Sequence, residues 1–237
     1  MLIVWGRPDD LSERSLRTLA NLIDDDERER ASRFVLARDR DAFVTAHGVL
    51  RLALSRVGFE HPAAWRFERT ASGRPAVVAD AIAFSLTHSR TLVACAIVRA
   101  GRIGIDAEEI ASEEPDPALL EASCTPDEAA SIRAHAPAVR AWAFAQLWTR
   151  KEAAAKALDL ARNFEPQAFA FGTDGTLRES PLIAPKTAHE LAFSTVVDDG
   201  RHVVTLAFSS CEGASGEHVI SRVDDEWVTF GPMRRDA

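Results

Sequence analysis

Gly104-Ile105-Asp106-Ala107-Glu108 puts two carboxylates two positions apart. On a β-strand both point to one face, while Ile103, Ile105 and Ala107 point to the other, towards a core. Neighbouring carboxylates repel, and a hard cation such as Mg²⁺, which takes oxygen ligands, relieves that repulsion. The competing account is the solvated face of an edge strand, the ordinary setting for exposed charge. Further on, Trp148, Glu152 and Lys156 recur at four-residue intervals in Leu147–Lys156 and line one helical face. Glu followed by Lys at that spacing is equally an ordinary surface ion pair, contributing about 0.2–0.5 kcal/mol. Phe84-Ser85-Leu86-Thr87-His88-Ser89 sets a histidine among hydroxyls, where it can bind phosphate, act as a base or hydrogen-bond locally. Ser89, His88 and Asp106 make a hydrolase triad on paper, but no G-x-S-x-G turn supports it. Arg28, Arg30, Arg33, Arg38, Arg40 and Arg74 suit either an anionic ligand or solvated helix faces. There is no P-loop and no G-x-G-x-x-G.

These residues need elements to hold them. Asp10-Leu11-Ser12-Glu13 reads as a capping box with Asp10 as N-cap. The acids of Asp24-Asp25-Asp26-Glu27 suit the start of a second helix. A longer helix covers Arg38 to Val57, with Gly58 as its terminator. The middle is strand-rich: Trp65 to Glu68, Ile82 to Leu86, Thr91 to Val98 and Ile103 to Glu108, with Thr87 to Arg90 as a polar loop. Glu113 to Pro117 is acidic, proline-broken loop. Thr125-Pro126-Asp127-Glu128 opens a helix with Pro126 at its first position. An alanine-rich helix follows over Ala138 to Leu158. Leu191 to Val197 and His202 to Phe208 flank a hairpin turn at Asp199-Gly200. Glu212 to Gly216 is a flexible break, and Val219 to Val223 and Glu226 to Phe230 are candidate edge strands. Helices followed by strands recur in both halves, which predicts an α+β fold of two similar lobes.

Composition narrows the function classes. The 237 residues fit one large domain or two closely packed halves at about 150 residues per domain. Hydrophobic residues at 46% and charged residues at 27% leave material for a sizeable core. A net charge of -8 argues against a general nucleic-acid binder. No apolar run reaches the roughly 20 residues that span a bilayer. The N-terminus reads as a strand, not a leader, so a cytoplasmic protein without a membrane role is expected. Cys95, Cys124 and Cys211 form no CxxC pair, which argues against a disulfide scaffold or zinc site.

Taken in order, these pieces resemble the 4′-phosphopantetheinyl transferases, in particular the long surfactin-synthetase-activating (Sfp-like) type. Gly73-Arg74-Pro75 resembles the family's G-[KR]-P, and Phe84–Ser89 its F-N-x-S-H-S. Gly104–Glu108 resembles G-[IV]-D-[IV]-E, and Leu147–Lys156 resembles L-W-[ST]-x-K-E-[AS]-x-x-K. Upstream, Arg30, Arg33-Phe34 and Asp41–Thr45 resemble its basic helix start and D-x-x-x-T stretch. The resemblance covers residues 24 to 160.

It implies transfer of the phosphopantetheine arm of coenzyme A to a serine of an apo acyl or peptidyl carrier protein, as in polyketide or nonribosomal peptide biosynthesis. Adenosine 3′,5′-bisphosphate is the other product. It implies Asp106, Glu108 and Glu152 as Mg²⁺ ligands, and Asp106, Glu152 and Lys156 as catalytic, with Glu152 the base and Lys156 at the leaving phosphate. Arg30, Thr45, Arg74, Thr87 and His88 would contact the cofactor phosphates. The implied fold is a pseudo-twofold pair of lobes, residues 1–104 and 105–237, with the active site at the lobe interface and 212–237 as extra strands or a tail. Half-length relatives oligomerise, so a monomer is expected. The competing function is a degenerate coenzyme A or carrier-protein binding module without turnover, against which the intact Asp106, Glu108, Glu152 and Lys156 speak.

The chain departs from the family pattern in places. Ser85 replaces Asn, and Thr87 replaces Ser but keeps a hydroxyl. Glu27 stands where many relatives are basic. After Lys156 the family's K-x-x-G-x-G-L has no glycine here. The acidic stretch Glu109–Asp116 would repel an acidic carrier if it lay on the docking surface.

Overall fold

The structure is a computed structural model and describes residues 1–70, 72–78, 82–178, 180–209 and 219–230. The chain divides into two compact units, residues 1–100 with 215–237, and residues 101–214. The division therefore falls four residues before the expected 104/105 boundary. The C-terminal segment also goes with the first unit, whereas the sequence reading placed it in the second.

The first unit begins with β1 (Leu2–Gly6), then α1 (Glu13–Leu22), α2 (Asp25–Ser32) and α3 (Ala37–Gly58). Strands β2 (Phe67–Arg69), β3 (Pro75–Val77), β4 (Ala83–His88) and β5 (Val93–Val98) follow. The N-cap of α1 is Ser12, whose hydroxyl accepts from the Ser15 amide, not Asp10. Asp10 is instead bound to Arg222 at 2.6 Å. At α2 the box forms as the sequence suggests, with Asp24 and Glu27 reciprocally bonded. Helix α3 ends on Phe59, in the left-handed region at φ 65°. Gly58 serves packing instead: a β-carbon there would lie 2.3 Å from the Trp65 ring. Thr87 and His88 close strand β4, so the expected polar loop starts two residues later.

The second unit opens with β6 (Ile103–Glu109), then α4 (Pro117–Ser123), α5 (Pro126–Ala134), the 21-residue α6 (Pro137–Ala157) and α7 (Pro185–Glu190). Strands β7 (Leu191–Asp198) and β8 (His202–Ser209) complete it. The antiparallel order is β6-β8-β7. Helix α6 packs on β6 and β8, with the backbone at Ala153 and Ala157 against Gly104, and Ala153, Ala154, Ala155 and Ala157 are all buried. The approach is close enough that a β-carbon on Gly104 would lie 2.0 Å from the Ala153 carbonyl oxygen and 2.6 Å from the Ala157 amide nitrogen.

The chain then returns to the first unit with β9 (Val219–Arg222) and α8 (Asp225–Phe230). Strand β9 pairs parallel to β1, giving the order β4-β5-β1-β9. Glu226 to Phe230, expected as a strand, is helical: Asp224 accepts from the Trp227 amide and caps its first turn. Val223 and Val228 are buried with Leu2, Val4 and Leu11. The break expected at Glu212–Gly216, like Cys211, lies outside the described residues. Each unit thus combines helices with a sheet, an α+β architecture. Among the described residues no helix is long and apolar enough to cross a membrane.

Candidate active site

In the second unit, Gly104, Asp106 and Glu108 alternate along one face of β6. The missing side chain of Gly104 lets α6 lie directly on this strand, and that contact brings helix residues beside the two acids. Lys156 Nζ lies 2.5 Å from Asp106 Oδ1 and 3.9 Å from Glu152 Oε2. Asp106 is buried, while Glu108, Glu152 and Lys156 are partly exposed. The Trp148 side chain lies beside Glu108 and favours its ionised form. That ring stacks on Phe144 at 6.1 Å and meets the Phe164 edge at 5.6 Å. The Thr149 and Thr205 hydroxyls, 2.8 Å apart, link α6 to β8 at the residue paired with Asp106.

Burial, reinforced by the charges of Asp106 and Glu152, pushes the Glu108 carboxyl up to about 7. Glu152 is pushed up as well, by burial and then by Asp106, while Lys156 opposes both rises. A group of three carboxylates held against their own repulsion suits a hard divalent cation, which takes oxygen ligands. Among the described residues no three acidic, histidine or cysteine side chains already converge as a metal cluster. Asp106 Oδ1 accepts from Lys156 Nζ.

In the first unit, Arg30 and His88 line one cavity of about 620 Å³, together with Arg33, His47 and Arg69. Arg30 lies over the Phe43 ring at 5.1 Å, and its guanidinium makes no hydrogen bond among the described residues. The acids nearby are largely committed. Glu27 accepts from Arg51 Nη2 at 2.8 Å and contacts His47 at 2.7 Å, and Glu29 accepts from Arg33 at 2.5 Å. Burial would raise the Glu27 pKa, but the His47 bond and the cations bring it down to about 2. Arg74 is half-buried, and its Nη2 donates to the Phe84 carbonyl at 2.5 Å. Thr45 and Thr87 are buried and do not line this cavity. The Thr45 hydroxyl has no hydrogen-bond partner among the described residues. Ser89 Oγ donates to the Leu92 carbonyl at 3.4 Å, as a turn residue does.

Two buried cations escape sequence reasoning. Arg51 is fully buried and donates to Glu27, to Asp24 at 2.6 Å and to the Trp65 carbonyl at 2.8 Å. Glu27 is therefore the hub of an internal ion pair. Lys151, also fully buried, donates to Glu128 at 2.6 Å, to Ser123 O at 3.0 Å and to Pro166 O at 2.9 Å. All three of its ammonium protons are used, so Lys151 ties α6 to α5 rather than meeting a ligand. The turn after the site is also explained. Asp159 takes the left-handed conformation at φ 63° where the family pattern has glycine, and aspartate tolerates that region better than most side chains.

Two comparisons with known proteins bear on this arrangement. The family model for the 4′-phosphopantetheinyl transferase superfamily matches residues 102–207. The 4′-phosphopantetheinyl transferase HetI of Nostoc sp. is 31% identical over 159 residues, 65% of this chain and 67% of HetI. The family-model match contains Asp106, Glu108, Glu152 and Lys156, whereas Arg30, Thr45, Arg74, Thr87 and His88 precede it.

Proposed function

The chain belongs to the 4′-phosphopantetheinyl transferase superfamily and is an enzyme of that class, and from this premise we propose its reaction in detail. It moves the 4′-phosphopantetheine arm of coenzyme A to a serine of an apo acyl or peptidyl carrier protein, with Mg²⁺, as a monomer of the long Sfp-like type. A bond forms between the serine oxygen and the pantetheine-bearing phosphorus. The pyrophosphate P–O bond breaks, and adenosine 3′,5′-bisphosphate leaves.

The observation that carries this reading is Lys156 on α6 set between Asp106 on β6 and Glu152, with Glu108 on the same strand face as Asp106. Asp106, Glu108 and Glu152 are the residues to hold Mg²⁺. When bound, the ion would neutralise charge on the phosphate oxygens. Glu152, whose pKa is raised, accepts the serine proton directly or through water. Lys156, which pairs with Asp106 and reaches Glu152, stabilises or protonates the leaving phosphate. Arg30 and His88 take the cofactor's phosphates, supported by their shared cavity, and Arg74, Thr45 and Thr87 are proposed by resemblance alone.

The test is intact-mass spectrometry of apo carrier proteins incubated with the enzyme, coenzyme A and Mg²⁺, with and without chelator. One transferred arm adds about 340 Da by the chemistry of group transfer. Asp106→Asn should lower that turnover by about 10²–10³-fold, as loss of a transition-state charge partner does. Coenzyme A binding with no mass gain on any carrier would favour the binding module. Near-normal turnover of Asp106→Asn would remove the metal role.

A further inference from the structure

We propose that the second unit carries a separate binding site for a small organic acid, a carboxylate on a flat apolar body. The site is a cavity of about 700 Å³ lined by α5, α6 and the turn Phe171–Arg178, within the 300–1,000 Å³ usual for ligand pockets. It is distinct from the carboxylate cluster: none of Asp106, Glu108, Glu152 or Lys156 lines it.

Arg150 points the way to the ligand. It is half-buried, lines the cavity, and makes no hydrogen bond or ion pair among the described residues. A β-carbon built on Gly175 would lie 3.7 Å from Arg150 Nη1, so the guanidinium reaches the tip of the turn. Burial without a partner acts against its charge. A guanidinium in that position is a fork awaiting a carboxylate, which it can grip through two parallel hydrogen bonds.

Most of the surrounding acids cannot supply that carboxylate. Glu128 accepts from Lys151, Thr125 N and Phe171 N. Asp174 accepts from the Thr176 amide and hydroxyl and pairs with Arg178 at 3.4 Å. Asp127 also lines the cavity but is exposed to solvent. The remaining wall includes Ile132, Trp142, Leu147 and Phe171. Trp142 is fixed by its Nε1 donating to Asp198 Oδ2 at 2.9 Å. Polar side chains such as Ser131, His135 and Gln146 line the rest of the cavity, and the Trp142 and Phe171 rings give a flat acid an aromatic face that free phosphate cannot use.

Phenylacetate and its neutral isostere phenylacetamide test the proposal on the full chain. The protein has five tryptophans, and the Trp142 indole N–H resonance is assigned with a Trp142→Phe variant. Phenylacetate should shift that resonance saturably, at least tenfold more tightly than phenylacetamide. Arg150→Gln should abolish the preference for the acid while the other indole resonances stay in place, showing an intact fold. Equal binding of acid and amide would reduce the site to an apolar hollow and overturn the proposal. An unchanged acid affinity in Arg150→Gln, or no shift with either probe, would overturn it too.

Discussion

Lys156 stands between two acids, 2.5 Å from Asp106 and 3.9 Å from Glu152, so its removal deprives the buried Asp106 and the half-buried Glu152 of the cation they share. Lys156→Ala should lower kcat more than it weakens coenzyme A binding, read by steady-state kinetics beside calorimetric titration; a loss confined to affinity would make it a binding residue. Glu108 gives a pH prediction. Its folded pKa is raised from 4.5 to about 7, so its contribution to stability is complete below 4.5 and is lost as pH rises through about 7. With chelator present, the melting temperature should fall across that window, and Glu108→Gln should flatten the fall. Mg²⁺ should restore stability at the upper end, where the carboxylate is ionised. Glu27 and Asp199, both lowered to about 2, act in a separate acid window. Their contribution is present above the ordinary carboxylate range and fades as pH falls towards about 2. The acid pair and the Glu152–Lys156 pair were legible because strand and helix periods place them on shared faces. Arg51 and Lys151 were not, since their partners lie 24 and 23 residues away and tertiary packing alone selects them.

At the scale of elements, the alanines of α6 read first as helix formers, yet their small size also lets the helix lie on Gly104. Nothing in the helical period distinguishes those two uses. Lys151 secures the same helix from its other side. Lys151→Ala leaves Glu128 buried without its cation and should cost about 3–5 kcal/mol, measured by urea unfolding. Lys151→Met, which keeps the stem, should fill the space but leave the same acid unpaired. The box at Thr125 and Glu128 was visible in the sequence because it is local; the second bond of Glu128, to Lys151, was not. Boundaries slipped where two local signals competed. Ser12 took the cap from Asp10, which a remote arginine claimed. At the end of α3, Phe59 took the left-handed position because Gly58 was needed against Trp65.

On the scale of the whole molecule, the α+β class followed from the order of helices and strands, but the membership of the last segment did not. A short strand carries no mark of which edge it will join, and β9 joins β1. Removing residues from 219 onward should unfold the first unit preferentially, because Leu2, Val4 and Leu11 lose Val223 and Val228 from their core. Limited proteolysis followed by mass analysis should then find cuts in residues 1–100 while 101–209 resists; equal sensitivity of both units would contradict this. The same strand pairing bears on how the protein is made. The second unit is contiguous along the chain and can close as soon as its own residues leave the ribosome, at about 5–20 residues per second. Strand β1 is synthesised before the whole of the second unit, whereas its parallel neighbour β9 follows that unit in the chain. Until β9 emerges one edge of the nascent sheet stays open, and a chaperone that shields such edges would find its substrate there.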